Sequence, residues 1–263
     1  MRASQRGGWK RLADFPEPRF FQSFDGTQIA WRELGEGRPV MLIHGYFSNA
    51  VTNWIRYGHA AKIAAKGYRV IMPDLRAHGD SAKPHEAAAY PKDALEKDGQ
   101  ALIAHLGLTD YDLGGYSLGA RTVARMLTND ANPTRVIFSG MGLSGLIATG
   151  KRAEHFAYIL DNLGTHAQGS PEWLAEAFLK TTKGDPIALK LVLSTFASTP
   201  IEAIRAIQQP ALVVCGAEDA DNGSALELAE TLPNGRYVAV PGGHMSAVIK
   251  PELGQAMSDF LAA

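Results

Sequence analysis

The chain has 263 residues, 46% of them hydrophobic, and a formal net charge of −1. Such a length suits one large domain or one domain with an insertion, and such a composition excludes a disordered chain. A near-neutral surface offers no bulk field to recruit nucleic acid or an anionic membrane, so a small neutral or weakly polar molecule is the expected partner.

Cys215 is the only cysteine, so no intrachain disulfide can form, as suits a reducing compartment. The N-terminus is basic, with Arg2, Arg6, Lys10 and Arg11, but no apolar run follows it, so it does not read as a secretory signal. The longest apolar runs are strand-length, far short of a membrane span. A cytoplasmic soluble protein is the expectation. The sequence carries no signal of oligomeric state.

In chain order, residues 1–18 lack periodicity and end in Pro16 and Pro18, which predicts an extended N-terminal arm. Two short strands are expected at Phe20–Phe24 and Gln28–Glu33, joined in a hairpin at Asp25-Gly26. The third, Pro39–Ile43, is continuously apolar, as a strand buried on both faces must be. A helix at Trp54–Lys66 leads to a fourth strand, Tyr68–Met72, and a helix at Ala94–Leu106 leads to a strand at Tyr111–Gly114. Then follow a helix from Leu118 to Leu127 and a strand at Arg135–Phe138. Far downstream come a strand at Ala211–Cys215, a helix at Ala225–Thr231, a strand at Tyr237–Val240 and a terminal helix reaching Phe260. Strands alternating with helices predict an α/β fold, a mostly parallel, doubly wound sheet with helices on both faces.

Between Phe138 and Ala211 the rhythm breaks. Phe156, Ile159, Leu160 and Leu163 fall at helical spacing, and Ser170-Pro171, Asp185-Pro186 and Thr199-Pro200 read as helix starts. Thr199 with Glu202 fits a capping box. The expected organisation is a core of residues 19–140 and 210–263, interrupted by a helical cap at 141–209. Its apolar residues, Trp173, Leu174, Phe178 and Phe196 among them, are expected chiefly to form a packing face.

Gly115-Tyr116-Ser117-Leu118-Gly119 is G-x-S-x-G between a predicted strand and a predicted helix. There a sharp turn can present the serine, and the helix N-terminus favours negative charge beside it. A serine hydroxyl needs a base. His244, in Pro241-Gly242-Gly243-His244, follows the last predicted strand, at the carboxyl end where ligands gather in parallel sheets. A third group must orient that base. Glu218, Asp219 and Asp221 all lie just past the strand ending at Cys215.

Here the sequence resembles the α/β-hydrolase fold family, in particular its serine esterase-like members with a helical cap. The family's strand followed by Gly-x-x-Asp matches Gly216-Ala217-Glu218-Asp219 and implies Asp219 as the acid, with Asp221 in reserve. The order Ser, Asp, His is that of the fold. The segment His44-Gly45-Tyr46 matches too, and implies an oxyanion hole made by the backbone N–H groups of Tyr46 and Leu118, with His44 structural. Pro73–Ser81 is a further match; it departs from the family's usual glycine at Ala77, which suggests a different torsion there, and Asp74, Arg76 and His78 are expected to scaffold the loop.

The resemblance implies an acyl-enzyme mechanism without metal or other cofactor. The expected activity is that of a carboxylesterase on small to medium carboxylic esters. Lactone, thioester and carbon–carbon bond hydrolysis or cofactor-free perhydrolysis use the same triad, and a non-catalytic ligand receptor on this fold is the rival from another class. Epoxide opening and dehalogenation need aspartate where Ser117 stands. Cys215, inside an apolar strand, is expected to be an inert small hydrophobe.

Overall fold

A computed structural model describes residues 15–263. Residues 1–14 of the expected arm lie outside the described residues; at its end, Pro16 O accepts a hydrogen bond from Arg32 Nε at 3.0 Å. The strands are β1 (Arg19–Gln22), β2 (Gln28–Leu34), β3 (Arg38–Ile43), β4 (Tyr68–Pro73), β5 (Asp112–Tyr116), β6 (Val136–Ser139), β7 (Ala211–Gly216) and β8 (Gly235–Val240). They form one sheet in the order β1-β2-β4-β3-β5-β6-β7-β8. Only the hairpin β1–β2 and the β2–β4 pair are antiparallel. From β4 to β8 every pair is parallel.

Side chains alternate across the central strands, so the sheet has two apolar faces. Val40, Leu42, Val70, Ile137, Leu212 and Val214 face one core with the helices α1 (His59–Ala64) and, from the chain end, α11 (Pro251–Ala262). Met41, Ile43, Ile71, Leu113, Phe138 and Val213 face the other. That layer is closed by α2 (Ala94–His105), α3 (Leu118–Thr128) and α9 (Ala225–Thr231). Burial on both faces explains the unbroken apolar runs.

Between β6 and β7 the chain runs through α4 (Leu143–Ile147), α5 (Gly150–Asp161), α6 (Pro171–Thr181), α7 (Pro186–Val192) and α8 (Ile201–Arg205). Two of the three predicted helix starts are capped as expected. Ser170 Oγ accepts from Trp173 N at 3.1 Å, and Asp185 Oδ1 from Ile187 N and Ala188 N at 3.0 and 3.1 Å. The third differs: Pro200 itself is the N-cap of α8, and the Thr199 hydroxyl, turned inward and fully buried, has no partner among the described residues. The Thr199–Glu202 capping box is absent because Thr199 N is drawn to Leu146 O at 2.8 Å. Trp173 and Leu174 are also not packing residues, being 37% and 55% exposed, whereas Phe178 and Phe196 do pack on the core.

The helix expected at Trp54–Lys66 is two pieces, a π-helical turn at Val51–Ile55 and α1, separated by Gly58 at φ 80°. A left-handed residue cannot continue a right-handed helix. Ala77 also corrects the sequence reading: at φ 69° it keeps the left-handed torsion that glycine would adopt, despite its Cβ. Among the described residues, no helix is long and apolar enough to cross a membrane.

The loop after β4 is anchored by buried charge. The Arg76 guanidinium, with no side-chain exposure, bonds Asp98 at 2.8 and 3.0 Å and Asp25 in the hairpin turn at 2.7 and 3.1 Å. Burial opposes ionisation of Asp25, but hydrogen bonds from Arg76 and Thr27 outweigh it and hold its pKa at about 2, below the ordinary 3.8. A depressed acid stabilises the fold fully above its unfolded pKa and loses that contribution as pH falls through the folded value. Asp25→Asn should therefore lower the melting temperature at pH 6, and the gap to the parent should narrow between about pH 4 and pH 2. Melting curves across that range giving a constant gap would contradict the pairing.

Candidate active site

The order of the sheet reverses between β3 and β5: the chain passes from β3 to β4 on one side, then crosses to β5 on the other. In such sheets the loops leaving the carboxyl ends at this point diverge, and ligands usually bind between them. His44-Gly45-Tyr46 leaves β3 there and Ser117 leaves β5 there. β5 runs to Tyr116, two residues beyond the predicted end, so Ser117 is the turn itself.

Ser117 has φ 53° and ψ −109°, a torsion pair that L-residues seldom adopt. Such strain costs on the order of 1–3 kcal/mol and persists only where the surroundings enforce it. Ser117 N donates to Ser139 O on β6 at 2.9 Å, and Ser117 O accepts from Arg121 N at 3.0 Å. The flanking glycines let the turn close. A Cβ on Gly119 would lie 2.0 Å from Ile43 O, and one on Gly115 would lie 2.2 Å from the Gly119 carbonyl carbon.

β7 and β8 are parallel neighbours, with Gly216 opposite Val240. Their exit loops are laced together by Ala217 N to Val240 O at 2.8 Å and Glu218 N to Gly242 O at 3.1 Å. This sets Asp219 beside His244, the first residue of the short helix α10 (His244–Ala247). Asp219 Oδ2 is 2.8 Å from His244 Nδ1, and His244 Nε2 is 3.0 Å from Ser117 Oγ. The three predicted residues thus form one hydrogen-bonded chain. Asp221 does not join it: its carboxylate pairs with Arg152 at 2.9 Å, half-exposed, while its backbone N–H donates to Asp219 Oδ1 at 3.1 Å. Glu218 is exposed.

Burial works against the Asp219 charge, but hydrogen bonds from His244 and Cys215 and the histidine's charge outweigh it, leaving the pKa below the ordinary carboxylate value. Asp219 is therefore ionised at neutral pH and can hold the Nδ1–H tautomer, freeing Nε2 to accept the serine proton.

Two contacts escaped the sequence. Cys215 is buried as expected but not without polar contact, because its thiol donates to Asp219 Oδ2 at 3.3 Å. Burial, reinforced by the Asp219 charge, pushes that thiol far up. The second is Tyr116, whose hydroxyl donates to His244 O at 2.5 Å while its ring lies 5.5 Å from the imidazole. A Cβ at Gly140, where φ is 56°, would come within 2.7 Å of the Tyr116 ring. Tyr116 and His244 lie far apart in sequence, so no spacing signals their contact, and Cys215 is only four residues from Asp219 but meets it through the turn of the loop after β7, which no pattern marks.

The loop after β3 meets the serine. A Cβ on Gly45 would stand 3.5 Å from Ser117 Cβ. The backbone N–H groups of Tyr46 and Leu118 find no acceptor among the described residues. His44 is structural and does more than hold its own loop. Nδ1 meets Gly45 O at 2.8 Å, and Nε2 accepts from Leu75 N at 2.9 Å, tying the β3 and β4 exits together. Burial pushes both His44 and His78 below the usual imidazole pKa, so they stay neutral in the scaffold. Asp74 accepts from Ala50 N at 2.7 Å and Asp80 N at 2.9 Å. The Tyr46 ring lies 4.7 Å from Phe156 of α5 and 6.2 Å from Phe196, and its hydroxyl donates to Leu189 O of α7 at 2.7 Å. The α4–α8 segment therefore lies against the Tyr46 loop. No three His, Cys, Asp or Glu side chains among the described residues cluster as metal ligands would.

An eight-stranded, mostly parallel sheet with a serine on a strained strand-to-helix turn and a histidine after the last strand defines the class of α/β-hydrolases. The chain has the α/β-hydrolase fold, and the model of the α/β-hydrolase fold family matches residues 38–137. It is 37% identical over 106 residues to a non-heme haloperoxidase of Rhodococcus erythropolis, covering 40% of this chain and 37% of that protein. The chain spans 34 to 50% of the length of the first curated relatives it matches. Among solved structures it is similar to a thermophilic esterase from Thermogutta terrifontis, with TM-score 0.75, 21% identity and coverage of 93% and 98% of the two chains. A bromoperoxidase from Bacillus anthracis gives TM-score 0.70 at 22% identity, covering 94% and 100%.

Proposed function

We propose that this chain is a serine hydrolase that cleaves small to medium carboxylic esters through an acyl-enzyme. The observation carrying this reading is the continuous chain Asp219–His244–Ser117, at 2.8 and 3.0 Å, with two backbone N–H groups on the neighbouring loops left without an acceptor among the described residues. Ser117 Oγ attacks the ester carbonyl as His244 Nε2 takes its proton. The carbonyl oxygen gains charge that the N–H groups of Tyr46 and Leu118 stabilise by donating to it. His244 passes the proton to the leaving alkoxide. Water, deprotonated by the same imidazole, then releases the acid and restores the serine.

A haloperoxidase among the relatives supports a second reading within the same chemistry. Hydrogen peroxide can take the place of water and carry the acyl group away as a peracid, with the serine proton balance unchanged.

An excess of 4-nitrophenyl acetate mixed rapidly with the protein should release a burst of nitrophenol close to one equivalent of protein, followed by steady turnover. Peroxide added to the steady phase reports the second reading by oxidation of bromide. Steady release without any burst under rapid mixing, across several acyl groups, together with no labelling of Ser117 by an aryl phosphonate, would remove the acyl-enzyme.

A further inference from the structure

Arg121 lies four residues beyond Ser117 on α3 and is only 4% exposed. Its Nε donates to Gly145 O at 3.1 Å, and its guanidinium carbon is 4.9 Å from the centre of the Phe196 ring. Its two terminal nitrogens make no hydrogen bond among the described residues, and no carboxylate comes within ion-pair distance. Of the other buried or half-buried arginines, Arg32, Arg76 and Arg125 each hold carboxylates. Burial, with the like charge of Arg152, pushes Arg121 down to about 10, so it remains a cation at neutral pH. A buried cation without a counter-ion is a costly arrangement, and a protein retains it where a ligand completes it.

The space beside this cation is a narrow open cleft with an interior volume of about 20 Å³, lined by Leu118, Arg121, Thr122, Arg125, Phe196 and Ala197. Leu118 is the neighbour of Ser117, and Phe196 packs within 6.2 Å of the Tyr46 ring, so the cleft begins one residue from Ser117 and beside the Tyr46 loop. Asp93 and Glu96 stand on its wall but are engaged elsewhere, Asp93 by Arg125 at 2.8 and 2.9 Å and Glu96 by Gln100. Those two acids disfavour a dianion such as phosphate. Of the two arginines on this lining, Arg125 is held by Asp93, and the Arg121 guanidinium, with its terminal nitrogens unpaired, suits a carboxylate, which it can bind through two parallel hydrogen bonds.

We propose that this pocket binds a substrate carboxylate, so that the esters cleaved at Ser117 carry a second, ionised carboxyl group a few bonds from the reacting carbonyl. The inference rests on the ester-hydrolase reading and names its substrate class. Charge neutralisation of Arg121 by the substrate then holds the acyl or alcohol chain in register with the serine, converting binding energy into orientation.

The test compares 4-nitrophenyl hydrogen adipate with 4-nitrophenyl hexanoate for a carboxylate on the acyl side, and 4-acetoxybenzoate with 4-methylphenyl acetate for one on the alcohol side. In one of the two pairs the parent protein should favour the charged ester in kcat/KM by roughly tenfold or more. Arg121→Met should erase that ratio, with Arg121→Lys retaining part of it. If both neutral esters are hydrolysed and neither pair shows an Arg121-dependent preference, the carboxylate pocket is overturned while the esterase reading survives. If no ester is turned over, the esterase reading has failed, and adipate binding by calorimetry still judges the pocket. Binding to the parent at least tenfold tighter than to Arg121→Lys supports it, and equal or absent binding overturns it.

Discussion

Ser117→Ala should reduce ester turnover by about 10⁴- to 10⁶-fold, to the level that an oxyanion hole and substrate binding sustain alone. The serine side chain supports nothing else: its hydroxyl meets only His244 Nε2, while the turn is held by main-chain bonds from Ser117 N to Ser139 O and Arg121 N to Ser117 O. Alanine meets the same torsional strain at φ 53° as serine does, so the variant should keep the parent's stability to within about 1 kcal/mol. Turnover of 4-nitrophenyl acetate and urea melts on the same preparation test both halves. A folded variant retaining even a hundredth of the parent's rate would remove Ser117 as nucleophile.

Asp219→Asn should lower kcat by about 10⁴ with far less change in KM, and the geometry says why. Asp219 Oδ1 accepts from Asp221 N at 3.1 Å, so the amide oxygen of an asparagine is drawn to that site. Its NH₂ group then takes the place of Oδ2, facing His244 Nδ1, and donates to it. The imidazole must in turn carry its proton on Nε2, where it can no longer accept one from Ser117. Asp221→Asn removes only a half-exposed ion pair with Arg152 and should change kcat by less than about threefold. Steady-state kinetics on the two variants decide the matter. The opposite ranking would transfer the acid's role to Asp221 and undo the assignment.

The hydrogen-bonded arrangement of Ser117, His244 and Asp219 was legible from local grammar because the fold places all three at strand ends. Gly115-x-Ser117-x-Gly119 is readable since each glycine answers a steric demand that recurs wherever a strand turns sharply into a helix. Asp219 was separable from Asp221 only through family resemblance, because both follow β7 and spacing alone treats them alike. What tells them apart is direction: one carboxylate turns to His244 and the other outward to Arg152.

By itself the sequence determined the alternation of strands and helices, the apolar runs that demand a sheet covered on both faces, and the Ser, Asp, His order at successive strand ends. Those features are written in short-range chemistry, in periodicity, turn residues and caps. Tertiary structure alone decided the break at Gly58, the inward turn of Thr199 that cancels its capping box, and the left-handed torsion at Ala77. It alone decided that Tyr116 holds the His244 carbonyl. The unpaired charge of Arg121 belongs with these. A lone arginine four residues after the serine reads as an ordinary solvated helix residue, and only the packing of α4 and Phe196 over α3 buries it without a partner. Contacts between residues far apart in the chain depend on how the elements stack, and no local pattern encodes them.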